Sequence, residues 1–189
     1  MTKIVLASAS PRRQALLRQI GLEDFEIRVS DADESYAPDL SPAQIVETLS
    51  LRKALAVPCG PDELIIAADT MVFLDNRRLG KPAGPADALE MLQSLRGRRH
   101  TVRTGVTLRQ GTRTLTQSEA TEVLFREVSD RELQAYVRTG EPLDKAGSYG
   151  IQGVGALLVE RIHGDYFNVM GLPLLRLSRM LAEFGVPLL

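Results

Sequence analysis

The segment that most restricts how this chain can fold is Leu64-Ile65-Ile66-Ala67-Ala68, a run without a polar residue that stops at Asp69-Thr70. A strand with one wet face alternates apolar and polar residues, whereas a strand that is apolar at every position must be covered on both sides. Such a strand belongs at the centre of a sheet flanked by helices.

The covering elements are marked in the same sequence. Lys3 to Ala7 reads as a short buried strand that runs into a helix, with Ser10 as N-cap, Pro11 at the first helical position, Leu16, Leu17 and Ile20 on one face and Gly21 as the stop. Ser41-Pro42-Ala43-Gln44 is a capping box that opens a second helix, with Ile45, Val46 and Leu49 turned inward. Lys53 leaves that same face one turn after Leu49. Pro85 to Leu95, a second capping box at Ser129-Asp130-Arg131-Glu132, and Pro173 to Phe184 predict three further helices.

Phe25 to Val29 alternates as a strand, and His100 to Leu108 with Thr112 to Phe125 flank Gln110-Gly111 as a hairpin. Asp75-Asn76 has the chemistry of a tight turn, Ala156 to Ile162 reads as a strand, and His163-Gly164 as a turn. Without repeats or low-complexity linkers, the expectation is one α/β domain over residues 1–189, a mixed twisted sheet with flanking helices.

The 189 residues carry 23 lysines and arginines against 24 aspartates and glutamates, so no global field holds the chain on DNA, RNA or an anionic membrane. An anionic ligand must be met locally. The one cysteine, Cys59, excludes an internal disulfide and a thiolate metal cluster. The segment from Met1 to Ala7 is too short for a secretory apolar region, and no apolar run approaches the ~20 residues that cross a bilayer. A cytoplasmic protein is expected, with homodimerisation left open.

Several residues stand where chemistry could occur. Ser8-Ala9-Ser10-Pro11-Arg12-Arg13 combines hydroxyls and guanidinium groups with the free N–H groups of a helix start, a combination that binds phosphates. The plainer reading is a cap beside solvated arginines. Asp69 closes the apolar run, where α/β sheets bind ligands, although a turn acid fits equally well. Glu34 lies in the acidic loop Asp31-Ala32-Asp33-Glu34, and Lys53 and Lys81 have exposure as their default. Gln152 sits in a loop with Gly147, Gly150, Gly153 and Gly155, which lets backbone approach a ligand. Neither His100 nor His163 has metal-ligand spacing.

Taken in order, these segments resemble the Maf family of nucleoside triphosphate pyrophosphatases. The likeness covers nearly the whole chain and rests on Ser8 to Arg13, Asp33-Glu34, Arg52-Lys53-Ala54, Ala68-Asp69-Thr70, Gly80-Lys81-Pro82, Asp144-Lys145-Ala146-Gly147 with Tyr149 to Gly153, and Tyr166 to Pro173. The resemblance implies two lobes around a deep cleft, as in inosine triphosphate pyrophosphatases, and hydrolysis of a nucleotide between its α- and β-phosphates with a divalent metal, Mg²⁺ or Mn²⁺. It makes Asp69 the proton acceptor and places Ser8, Arg13, Glu34, Lys53 and Lys81 along the phosphate and metal site; beside this, Ser10 is read as a further phosphate contact from its place in the turn, and Glu34 and Asp69 as the oxygen ligands that a hard metal ion requires.

Within that family Arg12, Thr70 and Gln152 resemble the type acting on dTTP and UTP. The type acting on 7-methyl-GTP is similar to tryptophan, glutamine and glutamate at these positions. An uncharged pyrimidine suits arginine and a neutral glutamine, whereas a cationic purine suits an aromatic face and a carboxylate. The alternatives are a pyrophosphatase for noncanonical purine triphosphates and a regulatory binding protein of septum formation.

Overall fold

The computed structural model describes residues 2–75 and 77–189. In chain order the elements are β1 (Lys3–Leu6), α1 (Pro11–Gln19), β2 (Phe25–Ile27), α2 (Pro42–Ala56), β3 (Glu63–Leu74), β4 (Arg77–Leu79), α3 (Pro85–Leu95), β5 (Arg99–Gln110), β6 (Arg113–Phe125), α4 (Asp130–Arg138), β7 (Val159–His163), α5 (Tyr166–Met170) and α6 (Leu174–Glu183). The seven strands form one sheet in the order β2-β1-β3-β5-β6-β7, with β4 beside β3 off this path. β1 runs parallel to both β2 and β3, while β3 with β4 and β6 with β7 are antiparallel, so the sheet is mixed.

The chain divides into two compact units. The first comprises Met1–Asp69, Thr104–Glu119 and Gly171–Leu189, and the second Thr70–Arg103 and Ala120–Met170. In the first, Val5, Ala7, Ala54, Val57, Ile65 and Ala67 form a core cluster in which β1, α2 and β3 meet. In the second, Val72, Leu74, Leu92, Leu95, Phe125, Leu133 and Leu158 join strands to α3 and α4. Phe125, Leu74, Leu92 and Leu95 are fully buried. Each such side chain removed from water contributes about 1.5–3 kcal/mol against the entropy of ordering the chain.

The predicted helix starts are present. The Ser10 hydroxyl accepts the Arg13 N–H at 3.5 Å, and Ser41 and Ser129 each make the reciprocal box with Gln44 and Glu132. At the end of α1 the Gly21 N–H returns to the Arg18 carbonyl and the Leu22 N–H to that of Leu17, with Gly21 at φ 85°. Glycine also decides how α2 lies on the sheet. A Cβ on Gly105 would stand 2.2 Å from the Val46 carbonyl oxygen, so the helix reaches β5 only because no side chain intervenes. Polar contacts fix the approach, with Ser50 and Thr107 hydroxyls 2.9 Å apart and Ser118 donating to Glu47 at 2.6 Å. Arg109 Nη1 closes the far end of α2 by donating to the carbonyls of Ala54 and Val57 at 3.0 and 3.1 Å.

Several boundaries differ from the sequence expectation. β3 continues five residues beyond Asp69, because the carboxylate has a cationic partner and β4 pairs with the second half of the strand, Val72 opposite Leu79. Asp69 therefore lies within a strand, past Leu6 and Ile66, where the parallel register with β1 ends. Val154–Leu158 is a 3-10 segment, and the strand predicted from Ala156 begins only at Val159. α5 was unpredicted, although Asp165 accepts the Phe167 N–H at 2.7 Å as a helix start should show. Asp75 has the positive φ of a turn residue, 51°, and Asn76 lies outside the described residues.

Candidate active site

The strand-to-helix turn from β1 to α1 is built around one arginine. Arg13 Nη1 donates to the Ser8 hydroxyl at 3.1 Å, and Arg13 Nε donates to the Gly171 carbonyl at 2.8 Å. Ser8 is buried, and its hydroxyl oxygen also accepts the Ser10 N–H at 3.3 Å. Burial lowers the Arg13 pKa to about 10, Asp69 opposing the loss of charge and Arg12 adding to it. Arg13 thus stays a cation at neutral pH, held in a fixed orientation. The Ser10 hydroxyl serves the backbone as a cap, and Arg12 is half-buried in the first turn of α1.

Lys53, projected from the inner face of α2, meets two carboxylates. Its ammonium lies 2.6 Å from Asp69 Oδ1 and 2.9 Å from Glu34 Oε1. The Lys53 and Asp69 side chains are 17% and 11% exposed, so their attraction is little screened, while Glu34 is 71% exposed. The acidic loop that presents Glu34 is tied down beside it. Arg52 donates to the Ser35 carbonyl and lies 3.7 Å from Asp33, and the Asp33 carboxylate accepts the Ser35 N–H at 2.9 Å. The Ser35 hydroxyl and N–H hold the Asp33 carboxyl below its ordinary range. Arg52, which sequence reasoning gave no role of its own, thus helps to hold the loop carrying Glu34.

The first unit therefore brings Ser8, Ser10 and Arg13 together in one turn and Glu34, Lys53 and Asp69 in one ion cluster. Thr70, Lys81 and Gln152 belong to the second unit. Thr70 is half-buried on β3 directly after Asp69. Lys81 is exposed in the loop after β4, whose Gly80 carbonyl accepts the Gly147 N–H at 3.1 Å. Gln152 is exposed at the third position of a turn closed by the Gly153 N–H on the Gly150 carbonyl at 3.3 Å.

The glycines around Gln152 are required by the protein's own packing. A Cβ would meet Val72 at Gly147, Lys145 at Gly150, Glu141 at Gly153, and the Tyr136 hydroxyl at Gly155, each nearer than 3.0 Å. Behind this loop His100 is buried, its Nε2 2.7 Å from the Tyr149 hydroxyl and its ring edge-on to Phe125 and Tyr149. Burial drives the imidazole pKa down to about 4, with the Arg98 carbonyl opposing. His163 ends β7 opposite Glu122 instead of forming part of the turn. Among the described residues no three histidine, cysteine or acidic side chains stand together as a ready metal cage. Nor is any helix long and apolar enough to cross a membrane.

A half-buried lysine between carboxylates, together with an arginine fixed at a helix start on a mixed α/β sheet, defines a protein that handles small anionic ligands. The chain belongs to the Maf family: the profile described as Maf-like protein matches residues 3–184. It is 54% identical to the dTTP/UTP pyrophosphatase of Moorella thermoacetica over 98% of this chain and 97% of that protein. It is also 50% identical to the dTTP/UTP pyrophosphatase of Symbiobacterium thermophilum over 100% of this chain and 97% of the relative. Among solved structures, a HAM1 protein from Coxiella burnetii is similar in fold, with TM-score 0.53 and 17% identity across 97% of this chain and 100% of that one.

Proposed function

We propose that this chain hydrolyses dTTP and UTP at the bond between the α- and β-phosphates, giving the nucleoside monophosphate and pyrophosphate. The carrying observation is the Lys53 ammonium, 2.6 Å from buried Asp69 and 2.9 Å from Glu34. The names and full-length identity of the relatives support the same activity.

A triphosphate brings about four negative charges near neutral pH, and catalysis of its hydrolysis consists mainly of neutralising and positioning them. Arg13, oriented by Ser8 and the Gly171 carbonyl, presents its guanidinium to a phosphate, and Lys53 adds a second cation. The family resemblance gives Lys81 a phosphate contact too, and Ser10, in the same turn as Arg13, adds another. Asp69 takes the proton of the attacking water as its oxygen bonds to the α-phosphorus. The bond from that phosphorus to the bridging oxygen breaks, and its electron pair leaves with pyrophosphate. Arg12, Thr70 and Gln152 read the base.

Glu34 and Asp69 are hard oxygen donors that already converge on one cation, the donor set Mg²⁺ or Mn²⁺ takes together with phosphate oxygens and water. When bound there, the metal supplies Lewis acidity and further charge neutralisation.

The test is a panel of triphosphates given to the purified chain with Mg²⁺ or Mn²⁺, pyrophosphate and orthophosphate being measured separately. The expected outcome is pyrophosphate first, with dTTP and UTP preferred, and activity lost to a chelator and restored by metal. Orthophosphate as first product overturns the bond assignment. Preference for 7-methyl-GTP or inosine triphosphate overturns the assignment of the base.

A further inference from the structure

Gln152 stands at the tip of a turn, exposed, where its own side chain contributes little to holding it in place. An exposed glutamine on a free glycine loop is a poor reader of a base, because ordering it on binding consumes most of what its hydrogen bonds return. The turn here is not free. Its first residue, Gly150, donates its N–H to the Tyr136 hydroxyl at 3.1 Å. Just beyond its last residue, the Val154 N–H donates to Glu141 Oε2 at 2.8 Å and the Gly155 N–H to Glu141 Oε1 at 3.0 Å. The two anchors are joined, since the Tyr136 hydroxyl donates to Glu141 Oε1 at 2.8 Å. Lys145 secures the base of the arrangement by donating to the Glu141 carbonyl at 2.6 Å.

Both ends of the turn carrying Gln152 thus hang on one phenol–carboxylate pair. Tyr136 comes from α4, a regular helix with a capping box, where its ring is buried, so its hydroxyl is a fixed point. Glu141 begins the 3-10 turn after α4, and its carboxylate accepts three donors, close to its capacity. The fit leaves no slack: a Cβ on Gly153 would lie 2.3 Å from Glu141 Oε2, and one on Gly155 would lie 2.6 Å from the Tyr136 hydroxyl. Burial works to raise the Glu141 carboxyl, and the Gly155, Val154 and Tyr136 donors with the nearby charge of Lys145 outweigh it, leaving an anion below its ordinary range.

We propose that Glu141 and Tyr136 are positioning residues for base selection, clamping the Gly150–Gly153 turn so that Gln152 is presented to the nucleobase in one orientation. The inference rests on Gln152 reading the base, as assigned above. Neither residue touches the phosphate chemistry, so loss of the clamp appears in the pyrimidine KM and in selectivity, with kcat little changed.

The experiment compares Glu141→Gln, Tyr136→Phe and Gln152→Ala in the full chain, with kcat and KM measured for dTTP and GTP alongside amide hydrogen exchange. Each clamp variant removes one good hydrogen bond to the turn, and the expected result is about a tenfold fall in the dTTP-to-GTP ratio of kcat/KM, carried by KM. Amides 150–155 should exchange faster, and the kcat for dTTP should stay within about threefold of the parent. A merely structural role lowers melting temperature and leaves the ratio alone. An unchanged ratio in both clamp variants, with a reduced one in Gln152→Ala, overturns the proposal. An unchanged ratio in Gln152→Ala overturns the reading of Gln152 and the proposal with it, and that variant alone tells the two failures apart. Should Glu141→Gln not fold, Tyr136→Phe keeps the ring in place and carries the same expectation.

Discussion

Asp69 and Glu141 are both carboxylates in partly buried settings, and they are satisfied in opposite ways. Asp69 meets a side-chain cation, Lys53, which it shares with exposed Glu34. Glu141 is met by two backbone N–H groups and a buried phenol. A contact to a flexible ammonium can be exchanged for one to substrate, water or metal at modest cost, whereas contacts to backbone amides are lost only by moving the chain. The first arrangement suits chemistry and the second suits geometry, although no sequence window around either residue distinguishes them.

The sharpest way to break that contrast is Asp69→Asn. The amide cannot accept a proton and is a poor ligand for a hard cation, so kcat for dTTP should fall by about 10³-fold. The amide matches the carboxylate in shape, and the expected melting temperature is close to that of the parent. Turnover within a few-fold of the parent would remove Asp69 from the reaction and make it as structural as Glu141.

Next in size is an effect on the second unit alone. His100 is held neutral among Phe125 and Tyr149, its pKa lowered by burial from 6.5 to about 4. Because the folded form binds its proton less readily than the unfolded one, the contribution is fully present above pH 6.5 and is lost as the pH falls toward 4. The loss amounts to at most about 3 kcal/mol. Urea midpoints measured from pH 7 downward should decline across this window in the parent and lose that decline in His100→Gln. The Arg28-paired Glu63 and the Ser129-bonded Glu132, both lowered from 4.5 to about 2, give up their share only at lower pH. An equal decline in the variant would assign the acid sensitivity to groups other than His100.

Much of the first unit was legible in the sequence because its signals are local. The Ser10-Pro11 start, the Ser41-to-Gln44 box and the apolar run of β3 each lie within a few residues, and the structure has them where they were read. The end of β3 was misplaced for a reason of the same kind: a charge reads as a strand end unless its partner is known, and Lys53 lies 16 residues away. The glycine loop was legible as a loop, but the packing that its glycines serve was not. What its glycines accommodate is Glu141, Tyr136, Lys145 and Val72, supplied by other elements whose own patterns speak only of helix or core. Arg13's partner Gly171, 158 positions along the chain, was beyond any local reading.

The smallest of these effects separates the two halves of the Asp69 pair. Lys53→Met keeps the stem that covers β3 and removes only the ammonium, leaving Asp69 and Glu34 without the cation between them. If Lys53 serves mainly to bind phosphate, KM rises, kcat/KM for dTTP falls about thirtyfold, and added divalent metal recovers part of the loss. If it serves mainly to orient Asp69, the loss is in kcat and KM stays near that of the parent. Lys53→Arg distinguishes these further. It restores the charge while its planar fork does not reproduce a point contact to two separate carboxylates, so a partly recovered KM with kcat unchanged marks Lys53 as a phosphate contact. Wild-type kinetics in Lys53→Met would mean that the 2.6 Å contact to Asp69 is as fixed and as chemically silent as those that hold Glu141.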